Sequence, residues 1–490
     1  MADADHRKPG MIYGLNPYPA MKDSGVPWLG EVPEHWEVKP LGALLRERGE
    51  INARGMITAV LSVLRGRGVI PYGEKGNIGN KKSDDITRYK IVRPGDIVVN
   101  SMNVIIGSVG ISSYTGCLSP VYYVLTPQLQ TDNPRYLNAY FQTQPFQRSL
   151  VRIGKGILAH RMRIPMELLK REAFPRPPSD EQALIARFLD HADRLIRRYV
   201  GTKRRLIKLL EEQKQAVIHH AVTRGLDPNV RLKDSGIGWL GDIPEHWKLV
   251  KLRHCGSIVG GMTPSMSESS FWGGDTLWVT PKDMKRDVIE DTKLKVTAAA
   301  VAKTALKTVP AGSVLMVVRG MILARRVPVA TNSGPVTINQ DMKAIIPAPG
   351  ISSKFLARLL SSAQSAFVPL IDEAGHGTKR FPTERWRDLA FAFPPEEEQI
   401  RIVACLRGAT VQLDRAINEA NSQISLFHEY RARLIADTVT GKIDVREAAE
   451  ALPETKDEPG AVELTDDTDV EDALDDESEV EQAEIEDAAL

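Results

Sequence analysis

Two Pro-Glu-His-Trp tetrapeptides, with His35 beside Trp36 and His246 beside Trp247, are where side-chain types first suggest chemistry. An imidazole can be a base, a proton carrier or a metal ligand, but each role needs a suitable partner. Neither histidine sits in a pattern that supplies a cysteine or a catalytic carboxylate pair, so packing beside the tryptophan is the favoured reading. Cys117, Cys255 and Cys405 are too scattered for metal-ligand spacing. They read as small buried or partly buried side chains, with no disulfide and no metal site expected. Gly154-Lys155-Gly156 looks like a phosphate loop but lacks the spacing and the following helix, and no G-x-x-x-x-G-K-[ST] occurs in the chain.

The elements that carry these residues are written twice. Gly14 to Leu41 and Gly225 to Leu252 align at an offset of 211 with 15 of 28 positions identical, including Trp28 and Trp36 against Trp239 and Trp247. A period this long is a domain duplication and points to two similar domains about a pseudo-twofold axis. A second repeat, at an offset of 217, sets Pro177 to Asp190 against Pro394 to Arg407. In both, Pro-Pro ends a strand and acidic residues follow (Asp180 and Glu181; Glu396, Glu397 and Glu398), as suits the first turn of a helix.

Beyond each start runs a heptad pattern. Ile185, Leu189, Ala192, Ile196, Tyr199, Leu206, Leu210 and Val217 form one seam, with Lys203 and Gln213 as polar breaks. Ile402, Leu406, Ala409, Leu413, Ala416, Ala420, Phe427, Tyr430 and Leu434 form the other, with Gln423 polar. Equal length and phase predict two helices of about 40 residues, roughly 60 Å, paired as a coiled coil, and an antiparallel sense is expected because it would generate the pseudo-twofold axis that the duplication suggests. The alternative is two independent amphipathic helices, each packed on its own domain. Gly201 and Gly408 are expected to loosen them, and both exits, AVTRGLD from Ala221 and TVTGKID from Thr438, carry a glycine.

Between these landmarks lie two globular segments of mixed α and β character, an α+β class. Strands are expected at Asp96–Met102, Val121–Pro127, Ser313–Gly320 and Met342–Ala348, and helices at Pro134–Leu150 and Ser353–Phe367. Each segment ends in a G-x-G loop with basic followers: Gly154, Lys155, Gly156, then His160, Arg161 and Arg163; and Gly375, His376, Gly377, then Lys379 and Arg380. The formal net charge of +1 conceals an asymmetry, because residues 450 to 490 hold 18 acidic residues and one lysine. The tail thus carries −17 and the body +18. Such a tail is expected to be disordered, and such a body is the footprint of a protein that meets phosphate backbones, with dispersed surface charge an equal alternative. No apolar run is long enough to span a membrane and the N-terminus lacks a signal-peptide pattern, so a cytoplasmic protein without a membrane partner is expected.

The paired WLGxxPEHW motifs, the paired PPxxEQ helix starts, the helix exits, and the stretches Gly260–Met284, VPAGSVLMVVRG and INQDMKA give the chain a resemblance to the specificity subunit of a type I restriction-modification system. The likeness spans about residues 14 to 444. It implies an N-terminal extension (1–21), a first target-recognition domain (22–176), a long helix (177–224), a second recognition domain with its leading repeat (225–393), a second long helix (394–444) and the acidic tail (450–490). It also implies a non-catalytic subunit that reads a bipartite, asymmetric site in double-stranded DNA, one half per recognition domain, with the helices setting the separation. The resemblance assigns catalysis to partners: two methyltransferase subunits with S-adenosylmethionine and, where the system cleaves, two restriction subunits using ATP and Mg2+. No such cofactor is expected on this chain itself. The Pro-Pro pairs precede Ser179 and Glu396 rather than an aromatic, so the loop with which a DNA methyltransferase holds a flipped base is missing.

Arg, Lys, Asn and Gln on loops are the side chains that read base edges. In the first domain these are Arg65, Arg67, Lys81, Lys82, Asn100, Asn103, His160 and Arg161. In the second they are Lys282, Arg286, Arg319, Arg325, Arg326, Asn339, Gln340, His376, Lys379 and Arg380. Any one of them can equally touch phosphate or solvent, and Asn339 can equally stabilise a turn. Trp272 and Trp278 are candidates for base stacking or for core. A coiled-coil adaptor without a DNA role and a stand-alone nucleic-acid enzyme are the rival classes.

Overall fold

The computed structural model describes residues 15–76, 81–155, 162–373 and 378–453. The acidic tail beyond residue 453, and with it the expectation of disorder there, lies outside the described residues, as do Gly156, His160, Arg161, Gly375, His376 and Gly377. The chain folds as two compact units, the described parts of Met1–Arg204 with Asn421–Leu490, and Arg205–Ala420. Each unit takes part of both long helices.

In the first unit an antiparallel sheet runs in the order Leu45–Glu47, Tyr122–Pro127, Ile97–Asn100, Val109–Ile111. Alternation along its third strand sends Ile97 and Val99 into a core with Tyr136, Leu137, Tyr140 and Phe141. Val98 points the other way, under Leu61, Val63, Val69 and Val92. A strand buried on both faces has no polar positions to alternate, which is why it reads as an unbroken apolar run. The second unit repeats these strands as Gly256–Gly260, Met342–Pro347, Val314–Val317 and Val329–Asn332, then adds Val288–Ile289 in parallel.

Shared scaffold and unlike additions are clearly separated. Glu37–Pro40 pairs with Ala173–Arg176 in the same register as Lys248–Lys251 with Ala390–Phe393, Pro40 facing Ala173 as Lys251 faces Ala390. Elsewhere the first unit carries two short pairs, Leu61–Leu64 with Gly68–Pro71 and Lys90–Val92 with Gly116–Leu118. The second unit instead builds a three-stranded sheet from Leu294–Val296, Trp272–Val279 and Val336–Ile338. Trp278 is buried there, so its core reading holds, and it meets the half-buried Trp272 edge to face at 5.0 Å. The helix expected over Pro134–Leu150 is two, Pro134–Phe141 and Gln144–Leu150, because Pro145 cannot continue the first. Its counterpart is likewise two, Ser353–Ser362 and Gln364–Phe367.

The long helices span Ser179–Arg224 and Glu396–Val439, 46 and 44 residues, and neither is interrupted at Gly201 or Gly408. Inside the first unit Asp193 pairs with Arg431 and Tyr199 stacks on Phe427, with ring centroids 5.4 Å apart. Inside the second unit Lys214 pairs with Asp414 at 2.6 Å. Numbers rise on one helix as they fall on the other, so the pairing is antiparallel, as the duplication suggests. The seam itself is corrected by one residue. Val200 is 5% exposed whereas Tyr199 is 56%, and Leu206 lies outside while Ile207 is half-buried. A strict seven-residue repeat rotates around a helix of 3.6 residues per turn, and Val200 and Ile207 are where the stripe has moved. Both helices stop at glycines in the left-handed region, Gly225 at φ 78° and Gly441 at φ 75°. A β-carbon on Gly441 would collide with Pro33.

Candidate nucleic-acid interface

What holds the scaffold in place explains the repeated motifs. Glu181, in the first turn of its helix and 3% exposed, accepts from Tyr18 Oη at 2.6 Å, Trp36 Nε1 at 3.0 Å and His35 Nε2 at 2.7 Å. Glu398 accepts from Trp247 Nε1 at 3.2 Å and His246 Nε2 at 2.8 Å. The fold brings each of these histidines a single carboxylate, from 146 and 152 residues away, rather than a pair. Their structural reading stands, because the same carboxylate also takes the buried indole N–H in both units. Burial pushes the Tyr18 hydroxyl well above its ordinary range, and acceptance by Glu181 adds to that.

The neighbouring glutamines complete the joint. Gln182 accepts the Asn133 N–H at 2.9 Å and Gln399 accepts the Ser352 N–H at 2.8 Å, while each side-chain amide donates to a carbonyl of the Pro-Pro turn. Asn133 and Ser352 are the N-caps of the helices under each sheet. Glu-Gln therefore ties the repeat, the long helix and the globular segment together.

In the second unit, four segments far apart in sequence converge on one edge. Arg319 and Arg380 form an antiparallel backbone bridge, and Gly320 N–H donates to the Lys379 carbonyl at 3.0 Å. The Asp341 carbonyl accepts from Val318 and Arg319, and the Thr263 hydroxyl meets Gln340 Oε1. Arg319, Gln340 and Arg380 are exposed, and Arg325 and Arg326 follow on the short turn Met321–Ala324. Lys379 is half-buried against Glu373 at 2.7 Å. Lys282 follows closely on Val279, whose carbonyl accepts the Asn339 N–H. Two picks do not fit. Asn339 is buried, its side chain accepting from Asp341 N and donating to Asp341 Oδ2, so it shapes the turn. Arg286 precedes Asp287, whose carbonyl binds Thr331 opposite Val314, at the other end of the strand that leads to Arg319.

The first unit gathers fewer of the expected residues. Arg65 and Arg67 occupy the tip of the Leu61–Pro71 hairpin, Arg67 bonding the Glu74 carbonyl, while Lys81 and Lys82 lie by its base, where Lys82 N–H meets Tyr72 Oη at 2.7 Å. The Asn100 side chain accepts from Met102 N–H and so shapes a turn, which Asn103 joins through its backbone N–H to the Asn100 carbonyl. Equivalence at 217 residues makes Met102 and Arg163 the counterparts of Arg319 and Arg380: Ile164 N–H donates to Ser101 O as Phe381 N–H does to Val318 O. Arg163, exposed and bridged to Lys155, belongs among the candidates, as does Thr263. The basic-follower pattern pointed to Arg163; nothing in the sequence pointed to Thr263.

Among the described residues no cluster of His, Cys, Asp or Glu is placed to hold a metal, and no helix is long and apolar enough to cross a membrane. Cys117 and Cys255 are buried, the latter with its thiol pushed up to about 12 by burial, but Cys405 is exposed, which corrects its sequence reading.

This architecture has relatives. Residues 244–424 match the family model for the type I restriction modification DNA specificity domain. The EcoR124I/EcoR124II specificity subunit of Escherichia coli is 34% identical over 161 residues, 33% of this chain and 39% of that protein. The MjaIX specificity subunit of Methanocaldococcus jannaschii is 32% identical over 173 residues, 34% of this chain and 38% of that protein. The matched stretches thus span less than half the length of these relatives. A solved chain from work on complex assembly and conformational transition of the type I R-M system shares the fold, with a TM-score of 0.56 at 15% identity over 83% of this chain and 98% of that one. Residues 244–424 thus carry a type I restriction modification DNA specificity domain, and parts of the chain are similar to type I specificity subunits.

Proposed function

We propose that this chain reads a bipartite site in double-stranded DNA, one half through each unit, and assembles with methyltransferase and, where present, restriction subunits that supply catalysis. On this reading the chain has no activity of its own. S-adenosylmethionine, ATP and Mg2+ act on the partner subunits, and the complex works in the cytoplasm. The observation that carries the reading is the convergence of Arg319, Gln340 and Arg380 on one exposed edge, where the first unit has Met102 in place of Arg319 and keeps an arginine, Arg163, in place of Arg380. Arginine suits guanine and glutamine suits adenine in the major groove.

The test is to map modified adenines in cells carrying the chain with its methyltransferase, and then to bind the purified complex to the mapped site. Arg319→Ala and Arg380→Ala should each weaken binding by about 1–3 kcal/mol and relax the sequence preference in one half only. A uniform loss across all sequences would demote them to phosphate contacts. No discrete footprint at all would favour the coiled-coil adaptor.

A further inference from the structure

The two units finish their helix pairs differently. In the first unit the chain runs on past the second long helix through Ile443 and Val445 into the short helix Arg446–Glu450. Ile443 and Val445 are buried in one core with Leu189 and Leu434, Ala449 is buried, and Arg187 donates to the Leu452 carbonyl at 2.6 Å. Phe188 and Ala192 on the facing helix are half-buried. The second unit has no such extra segment, because there the chain turns at Gly225 directly into the repeat.

The positions 217 residues along are consequently open. Leu226, in the place of Ile443, is 45% exposed against 6%. Cys405 and Ala409, in the places of Phe188 and Ala192, are exposed. With Val217, Ala221 and Leu406 they line a groove of about 440 Å³. That is room for a few small apolar side chains, and Arg224 and Arg401 stand beside Leu226 at its end. An apolar groove with Arg224 and Arg401 beside Asp227 and Glu398 at its end, covered in one copy of a duplicated scaffold and left uncovered by the described residues in the other, has its occupant's chemistry written in the covered copy.

We propose that this groove of the second unit docks a short helix of a protein partner, with small apolar residues spaced as Val445, Ala449 and Leu452 are. Acidic side chains beside that stripe would face Arg224 and Arg401. The proposal is independent of DNA reading, and its test uses no DNA.

Cys117 and Cys255 are buried, so Cys405 reports on the groove in the full chain. The rate of its alkylation by a maleimide is followed by intact mass, alone and with a peptide of residues 442–453. The peptide should slow the reaction about fivefold at about four times its Kd, because only the unoccupied fraction reacts. A Val445→Asp peptide should give no protection, and Ala409→Arg in the chain should abolish it. Equal rates with both peptides on the wild-type chain would overturn the proposal, a comparison that needs no variant to fold. It would also be overturned if Cys405 were already shielded in the full chain and freed by deleting residues 454–490, which would make the tail the occupant. Shielding lost on dilution would make the occupant a second copy, and that too would overturn it.

Discussion

Glu181 and Glu398 turn the most conspicuous motif of the chain into a joint. A carboxylate that accepts several charge-assisted bonds in a buried place is costly to remove, because its donors are left without partners. Glu181→Ala should therefore destabilise the protein by about 3 kcal/mol in urea unfolding. Glu398→Ala should cost less, since Glu398 is more exposed and lacks the counterpart of the Tyr18 bond. Equal losses would show that burial and the third bond contribute nothing. At this scale the sequence identified types better than partners. It recognised His35 and Trp36 as structural but not the carboxylate they bind, which lies 146 residues away. It selected Arg319, Gln340 and Arg380 by type, and a correct type is all that local sequence can supply. Asn100 and Asn339 were chosen by the same rule, and their side chains bond within turns, because asparagine suits turns as well as it suits adenine.

The long helices show how far periodicity reaches. Spacing predicted both helices and their pairing, and the duplication its antiparallel sense, yet the seam in the structure passes through Val200 rather than Tyr199. Val200→Asp should accordingly cost about 2 kcal/mol or more, while Tyr199→Ser should cost less than about 1 kcal/mol through its rim stack on Phe427. The reverse order, in matched urea titrations, would restore the strict heptad. Near the end of the first long helix, His219 has its pKa lowered by burial first and by His220 second. A histidine whose folded pKa lies below its unfolded value of about 6.5 favours the fold while neutral. Stability should then be full above that pH and decline as pH falls through 6.5 towards the lowered folded pKa. His219→Gln should flatten the difference in urea midpoint between about pH 7.5 and pH 5.5. An unchanged difference would assign the pH response to other groups.

At the scale of the whole molecule, two units share a register of strands and a glutamate joint but differ in what they add to it. If each unit reads half a site, exchanging residues 251–393 for those of a relative should alter one half of the modified motif and leave the other intact. Altered bases in both halves would mean that reading is not divided between the units. The sequence by itself determined the duplication, the α+β class, the two helices and the main strands, because repeats and periodicity are properties of a single line of residues. Only the tertiary structure decided which carboxylate meets which histidine, which basic residues share an edge, and which groove the described residues leave uncovered. Those outcomes depend on sheet order and on packing between distant segments, where the energy lies in pairings that no local spacing encodes.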